Sequence, residues 1–425
     1  MLQQEITKTE RMQNNRLHIL FLALFMLVYT ACEPGETSLT NEEFLREQIS
    51  WLSDPDRGGR LAGSPEEAET AVYIATLLQE SGLLPAGEEE TFFQHFPLSG
   101  PVASMLGAEN RISRNVIAEV TGTRYPERKI IIGAHYDGQG MGGQISMDHG
   151  GVPALHPGAD DNASGAAGLL WLARHFSENP ASHTIRFIFF SGEEMGLLGS
   201  RYFVETHREN LDQVLAMINL DMIGRLTDGN LTLFGTGTSN VWEHLLDQVS
   251  VDSLTVSRVE TGSGSSDHTS FYDAGVPVLH YFTGAHTDYH TPADTPDLIN
   301  YSGIRVVLNH VVELISGLDV LDRSEIEFRE STDPRRQSVM SGGVTLGVLP
   351  DYSYSGFGFR IDGVRAGQPA ELAGLQRGDT IIRMGDREIS DIYSYMEALQ
   401  TFEAGDELLL LAVREGEEME FFIIF

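Results

Sequence analysis

Hydrophobic positions along this chain change texture four times. Leu17–Val28 (LHILFLALFMLV) is a nearly continuous apolar run of about a dozen residues, preceded by Arg11 and Arg16. A membrane span needs roughly 20 residues, so the run reads as the apolar region of an export signal. A short polar tether, 33–41, follows. A helical texture comes next: Ala68, Ala71, Val72, Ala75 and Leu78 recur at helical spacing. Ser64 stands where a cap is wanted, Pro65 suits the first helical position, Glu67 completes a capping box and Gly82 ends the run.

The third texture is a series of short apolar runs: 129–134 (KIIIGA), 184–190 (TIRFIFF), 215–220 (LAMINL) and 276–282 (VPVLHYF). Helical patterns separate them, at 165–176 and 242–249, and a last helix spans about 301–318. Unbroken apolar strands alternating with helices predict an α/β domain, a mostly parallel, mixed sheet with helices on both faces. A charged, polar stretch with Pro334, Arg335 and Arg336 reads as a linker. Beyond it come short strands and Gly-rich turns, with a helix at 392–399 and strands at 407–414 and 419–424: a small α+β unit. The boundaries are 1–32 for the signal, 33–325 for the α/β domain, 326–340 for the linker and 341–425 for the last unit.

Composition removes several function classes. Among 425 residues, 28 Lys+Arg face 62 Asp+Glu, a net charge of −34. Phosphate binding needs basic stripes, so nucleic acid is excluded as a partner. The single cysteine, Cys32, rules out a disulfide framework and thiolate-rich metal modules within one chain.

The chemistry lies where the apolar runs stop. In open α/β sheets, ligands bind beyond the carboxyl ends of the strands. The first run ends in His135-Tyr136-Asp137, the second in Ser191-Gly192-Glu193-Glu194 and the third in Asp221; the fourth leads to Asp288-Tyr289-His290. Gly158-Ala159-Asp160-Asp161-Asn162-Ala163-Ser164-Gly165 opens a helix between the first two. One acidic residue after a strand is an ordinary helix cap. Five loops that deliver His, Asp, Glu, Asp and His to one rim form a metal-ligand set, suited to Zn²⁺ or to Mn²⁺, Co²⁺ or Ni²⁺. Two Zn²⁺ ions carry a charge that three carboxylates and a hydroxide nearly cancel. A paired-metal site for hydrolysis is therefore favoured over a single ion.

These motifs, with Gly59-Arg60-Leu61-Ala62-Gly63-Ser64, Gly196-Leu197-Leu198-Gly199-Ser200, Asn219-Leu220-Asp221-Met222 and His290-Thr291-Pro292, resemble the M28 metallopeptidases over about 46–318. The resemblance implies the zinc-peptidase fold and two Zn²⁺. It implies that His135 and Asp221 bind one ion, that Glu194 and His290 bind the other, and that Asp160 bridges them. A cis peptide is implied after Asp160. Glu193 is implied as general base, taking a proton from a metal-bridging water and passing it to the leaving amine. Asp137, two residues after His135, fits the role of orienting that imidazole. Met222 is either a wall of the specificity pocket or a core side chain. Asp267 and His268, in Ser266-Asp267-His268, look like a family element near the mouth of the site; the alternative is a turn before a helix. His149 and His156 either shape the entrance or coordinate nothing.

Thr30-Ala31-Cys32 resembles a bacterial lipobox, with Tyr29 where a leucine is usual. It implies lipidation at Cys32 and a membrane-anchored enzyme in the bacterial cell envelope, facing the periplasm or the outside; the alternative is an ordinary signal peptide. Residues 341–425 resemble a bacterial-type PDZ domain, through Gly367-x-Pro369-Ala370, Ala373-Gly374-Leu375-Gln376-Arg377-Gly378-Asp379 and Gly385. That likeness implies capture of a peptide C-terminus at Leu346-Gly347-Val348 by strand addition. The other possibility is a unit that only packs on the peptidase. The function implied overall is an exported metallo-aminopeptidase acting on peptide or protein substrates. A carboxypeptidase-type or glutaminyl cyclase-like relative stands as the alternative, followed by an inactive peptide-binding protein.

Overall fold

The computed structural model describes residues 41–143, 146, 147, 153–249, 251, 253–331, 344–350, 354, 356–364, 367–390, 392–399, 401–403, 405–414 and 416–425. The leader with Cys32, His149 and most of the linker lie outside them.

The first part builds one nine-stranded sheet. In chain order its elements are α1 (Asn41–Leu52), α2 (Pro65–Glu80), β1 (Leu84–Pro85), β2 (Phe93–Pro97), α3 (Pro101–Met105), β3 (Ile112–Val120), β4 (Tyr125–His135), α4 (Gly165–Glu178), β5 (His183–Phe190), α5 (Leu198–Thr206), β6 (Val214–Leu220), β7 (Asn230–Phe234), α6 (Trp242–Gln248), β8 (Thr255–Val259), α7 (His268–Tyr272), β9 (Val278–Phe282) and α8 (Tyr301–Asp319). The strand order is β1-β3-β5-β4-β6-β9-β7-β8, with β2 beside β3. The centre is parallel: β4 pairs with β5 and β6, and β6 with β9. The flank at β3 is antiparallel, as is the β7–β9 pairing.

Both faces of the central strands are covered, which is why their sequences are unbroken apolar runs. Ile130, Ile132 and Ala134 of β4 enter the main core with Leu169, Leu172 and Leu308, while Ile131 faces a second core with Ile188, Phe190, Met217 and Phe271. Among the described residues, no helix is long and apolar enough to cross a membrane.

Two local expectations are corrected. Ser64 does cap α2, its Oγ accepting the Glu67 N–H at 3.0 Å. The Glu67 carboxylate, however, closes no capping box: it is fully buried and accepts hydrogen bonds from the Tyr136 hydroxyl and from Ser113 Oγ. Val72 is 54% exposed and lies off the buried face; the stripe runs through Ala71, Ile74, Ala75 and Leu78 instead.

The C-terminal part is an antiparallel sheet of β10 (Val348–Pro350), β11 (Phe359–Val364), β12 (Thr380–Met384), β13 (Arg387–Glu388), β14 (Glu407–Arg414) and β15 (Glu417–Ile424), with α9 (Pro369–Ala373) and α10 (Ile392–Leu399). It has its own core, in which Leu346, Phe359, Ile381, Leu410 and Ile423 meet. Asp379 is fully buried beneath a bidentate pair with Arg414 at 2.7 Å. Leu346 is buried, Gly347 has φ +73°, and Val348 opens β10, which pairs with β11.

Candidate metal centre

Four parallel strands end on one rim, and their last residues and the loops after them supply the acids and imidazoles of the site. His135 is the last residue of β4, and Asp221 follows the last residue of β6. Glu193 and Glu194 lie just beyond β5, and His290 lies on the loop after β9. Two groups form: His135, Asp161 and Asp221, and Asp161, Glu194 and His290, the donor atoms of each lying within 4.8 Å of one another. His135 Nε2 is 3.3 Å from both Asp161 Oδ1 and Asp221 Oδ1. His290 Nε2 is 3.0 Å from Asp161 Oδ2 and 3.4 Å from Glu194 Oε2.

The shared acid is therefore Asp161, and the expectation that Asp160 bridges the groups is corrected. One oxygen of Asp161 faces each imidazole. The Asp160 carboxylate turns the opposite way, where it accepts hydrogen bonds from the Gly224 N–H at 2.6 Å and Ser164 Oγ at 3.0 Å and lies 3.1 Å from His286 Nε2. The cis peptide likewise stands one residue later than expected, between Asp161 and Asn162. Gly158 makes the turn possible: its φ is +55°, and a Cβ there would lie 2.2 Å from the Asp161 carbonyl oxygen.

Spacing and electrostatics both suit divalent cations. Ligand atoms about 2.1 Å from a tetrahedral ion lie about 3.4 Å from one another, and the imidazole–carboxylate spacings above are 3.0–3.4 Å. Glu194 Oε1 is buried with no hydrogen-bond partner among the described residues, an acceptor with lone pairs to give. Burial alone would push the His135 imidazole down, but Asp221 and Glu193 carry it well above its usual value. His290 follows the same pattern beside Glu194 and Asp161. Burial pushes Glu194 up to about 7 despite His290. A site that drives protons onto its own imidazoles has more negative charge than it can neutralise, and cations relieve that.

Glu193 stands apart from both groups. Burial raises its carboxyl well above the usual range, and Asp221 and Asp267 add to the shift. Its backbone N–H donates to Asp137 Oδ1 at 3.2 Å, and the same oxygen is 3.6 Å from His135 Nδ1. Asp137 thus ties the end of β4 to the loop after β5. Met222 is buried with φ +52°, its N–H donating to Asn162 Oδ1 at 3.1 Å.

Asp267 and His268 are fully buried, which corrects their expected place at the mouth. His268 stacks on His280 at 4.4 Å, and burial pushes Asp267 up to about 7. His156 is turned inward, with Nε2 2.7 Å from Ser146 Oγ and Nδ1 2.8 Å from the Ala154 carbonyl.

Several residues of the site were given no role from the sequence alone. Ser266 Oγ donates to Asp221 Oδ2 at 2.7 Å and accepts from Asn219 Nδ2 at 2.8 Å. Gln139 Nε2 donates to Glu194 Oε2 at 3.1 Å. Tyr289 stacks on His290 at 3.8 Å. Arg60, fully buried, donates to the carbonyls of Tyr136 at 2.8 Å, Leu52 at 2.6 Å, Pro157 at 2.8 Å and Gly158 at 3.0 Å. That places a fixed cation under the acid-rich loops, and Gly59-Arg60 was visible only as part of a motif. Asp294 is buried too, raised to about 7 by burial and by Asp160.

Residues 115–315 match the family model described as peptidase family M28. Aminopeptidase YwaD of Bacillus subtilis is 33% identical over 207 residues, 45% of this chain and 41% of that protein. Leucine aminopeptidase 2 of Arthroderma otae is 28% identical over 269 residues, 55% of this chain and 51% of the relative. The chain thus spans about half, or less, of the length of these curated relatives. Among solved structures, BSAP, a zinc aminopeptidase from Bacillus subtilis, superposes with a TM-score of 0.51 at 21% identity, covering 67% of this chain and 98% of that one. The stretch 115–315, which carries the shared-acid geometry, is thus similar to peptidase family M28.

Proposed function

We propose that this chain is a two-zinc aminopeptidase that removes N-terminal residues from peptides. The observation that carries the reading is Asp161, one carboxylate with an oxygen on each of two acid–imidazole groups. His135 and Asp221 would hold one ion, Glu194 and His290 the other, and Asp161 both. When bound, such a pair supplies a polarised scissile carbonyl and a water acidic enough to attack near neutral pH. Glu193, raised by burial and free of a side-chain hydrogen bond among the described residues, accepts the proton of the attacking water and returns it to the leaving amine. Asp137 fixes the direction of His135.

The test combines metal analysis with hydrolysis. About two zinc ions per chain are expected, with chelator-sensitive turnover of aminoacyl anilides and none of N-blocked reporters. Glu193→Gln should lower kcat by about 10²–10⁴ at unchanged metal content; full turnover in that variant would remove Glu193 as the base. Turnover of C-terminal reporters alone would assign a carboxypeptidase.

A cyclase reading has a fold-level neighbour. Glutaminyl cyclase of Porphyromonas gingivalis superposes with a TM-score of 0.53 at 17% identity, covering 65% of this chain. Ammonia release from N-terminal glutaminyl peptides without anilide hydrolysis would establish it. The complete five-residue donor set favours the peptidase.

Export rests on the apolar run before Cys32, and anchoring on the lipobox resemblance. Membrane association lost in Cys32→Ser is the expected outcome, and unchanged association would count against an anchor. The C-terminal sheet is proposed as a PDZ domain that takes a peptide C-terminus at 346–348, where the edge strand β10 begins.

A further inference from the structure

Asp294 lies four residues past His290 on the same loop and has been assigned no role so far. Its carboxylate is 1% exposed and points at the backbone that carries the shared acid. Both Asp294 oxygens accept the Asp160 N–H at 3.0 Å, and Oδ2 also accepts the Asp161 N–H at 3.0 Å. The Asp294 backbone carbonyl accepts the Ala159 N–H at 3.1 Å. One residue therefore holds three consecutive peptide N–H groups, those of Ala159, Asp160 and Asp161.

The Asp160 carboxylate anchors the same peptide from the other side. It is fully buried and accepts from the Gly224 N–H and Ser164 Oγ, with His286 Nε2 at 3.1 Å. Gly224 lies three residues past Asp221, and His286 four before His290. Asp160 and Asp294 thus fasten together the loops that carry Asp161, Asp221 and His290. A carboxylate facing two imidazoles can rotate about its own bonds, so its direction depends on how rigidly its backbone is held.

We infer that Asp294, with Asp160 as its counter-anchor, is the positioning residue that aims the Asp161 carboxylate between the two acid–imidazole groups. Neither residue belongs to either donor group. Their effect is on the affinity of the pair, as for outer partners that orient a ligand. The inference rests on the two-ion reading above.

The test measures Zn²⁺ and Co²⁺ binding to the full chain stripped of metal, by competition with a chromophoric chelator and by the visible spectrum of the Co²⁺ form. Circular dichroism and thermal unfolding of the metal-free proteins are the control. Asp294→Asn retains one carbonyl acceptor for two N–H groups, so about 10–100-fold weaker binding is expected, with an altered Co²⁺ spectrum and a metal-free fold that still melts cooperatively. Asp294→Ala should lose more. Wild-type affinity and spectrum in a folded Asp294→Asn would overturn the inference. If neither Asp294 variant folds, Asp160→Asn decides. It keeps the Oδ1 acceptor for Gly224 and Ser164 but loses the Oδ2 that faces His286, which loosens the counter-anchor; weakened binding supports the inference and wild-type binding overturns it. Failure of the wild-type chain to bind metal would instead strike the two-ion reading, so the two failures are distinguishable.

Discussion

The two acid–imidazole groups share one carboxylate but are built differently. In the inner group, His135 is the last residue of β4 and Asp221 the first after β6. Neighbouring parallel strands fix their separation, and Ser266 and Asp137 hold the side chains from behind. In the outer group, Glu194 and His290 sit on loops beyond β5 and β9. Their side chains are 5% and 15% exposed, against 1% for His135 and 12% for Asp221, so the contrast lies in the imidazoles. Gln139 and Tyr289 support them from the loop side. A sheet position costs little further ordering to keep, whereas a loop position must be held by contacts that local opening can release. The inner group should therefore retain its ion and the outer group exchange it.

The largest test of this comparison is Asp161 itself. Asp161→Ala removes a ligand from both groups at once. Turnover should fall by about 10³-fold or more, since metal-ion catalysis supplies several kcal/mol. Asp160→Asn should cost far less. Equal losses in steady-state kinetics of the two variants would place the bridge wrongly.

Next in size is stepwise metal removal. Chelation of the wild-type protein should release one ion per chain well before the other, read by metal analysis over time. His290→Ala should keep the slow ion, whereas His135→Ala should lose it. A single release phase in the wild type would erase the distinction between the groups. Ser266→Ala, which frees Asp221 Oδ2, should weaken only the slow ion, by about 10-fold. Gln139→Leu should weaken only the fast one, by a similar factor.

The smallest effect concerns an imidazole buried without acids. His310, beside Tyr281 Oη at 3.0 Å, is pushed down to about 4 by burial and then by Arg258, the opposite direction to His135 and His290. A depressed folded value means that the unfolded chain takes the proton first. The contribution of His310 is therefore present above its unfolded pKa of about 6.5 and is lost as pH falls from there toward 4. Its loss should reach about 1 kcal/mol between about pH 7 and pH 5.5. Urea unfolding of metal-free His310→Gln should show a correspondingly flatter pH dependence. An unchanged slope would mean that His310 does not titrate in this way.

The central strands were legible because burial on both faces leaves only apolar residues there, a signal carried by neighbours in sequence. The β3 strand was not. Its run Ile112-Ser113-Arg114-Asn115 is broken by polar residues, yet Ser113 and Asn115 are fully buried. Asn115 Nδ2 donates to Gln94 Oε1 and to the Gly199 carbonyl, both at 2.9 Å, so distant partners remove the cost of burying the amide. Glu67 is the converse case. Local spacing offers it a capping role, and burial against Tyr136 overrides that.

Residue types and strand ends located the site in the sequence, and the motif order tied it to a family. Asp160 and Asp161 are chemically identical and adjacent, so no local rule decides between them. The choice is made by Gly224, Ser164, His286 and Asp294. Three of these four arrive from loops far along the chain, and together they occupy one carboxylate and aim the other.

By itself, then, the sequence determined the α/β architecture, the strand-rich texture of the C-terminal part and the kind of chemistry on the rim. Those follow from hydrophobic period and ligand type, which neighbouring residues set. Tertiary structure alone decided which aspartate is shared, which histidines titrate upward and which loops are fastened together. Those depend on hydrogen bonds and fields between groups that only the folded chain brings within a few ångströms of one another.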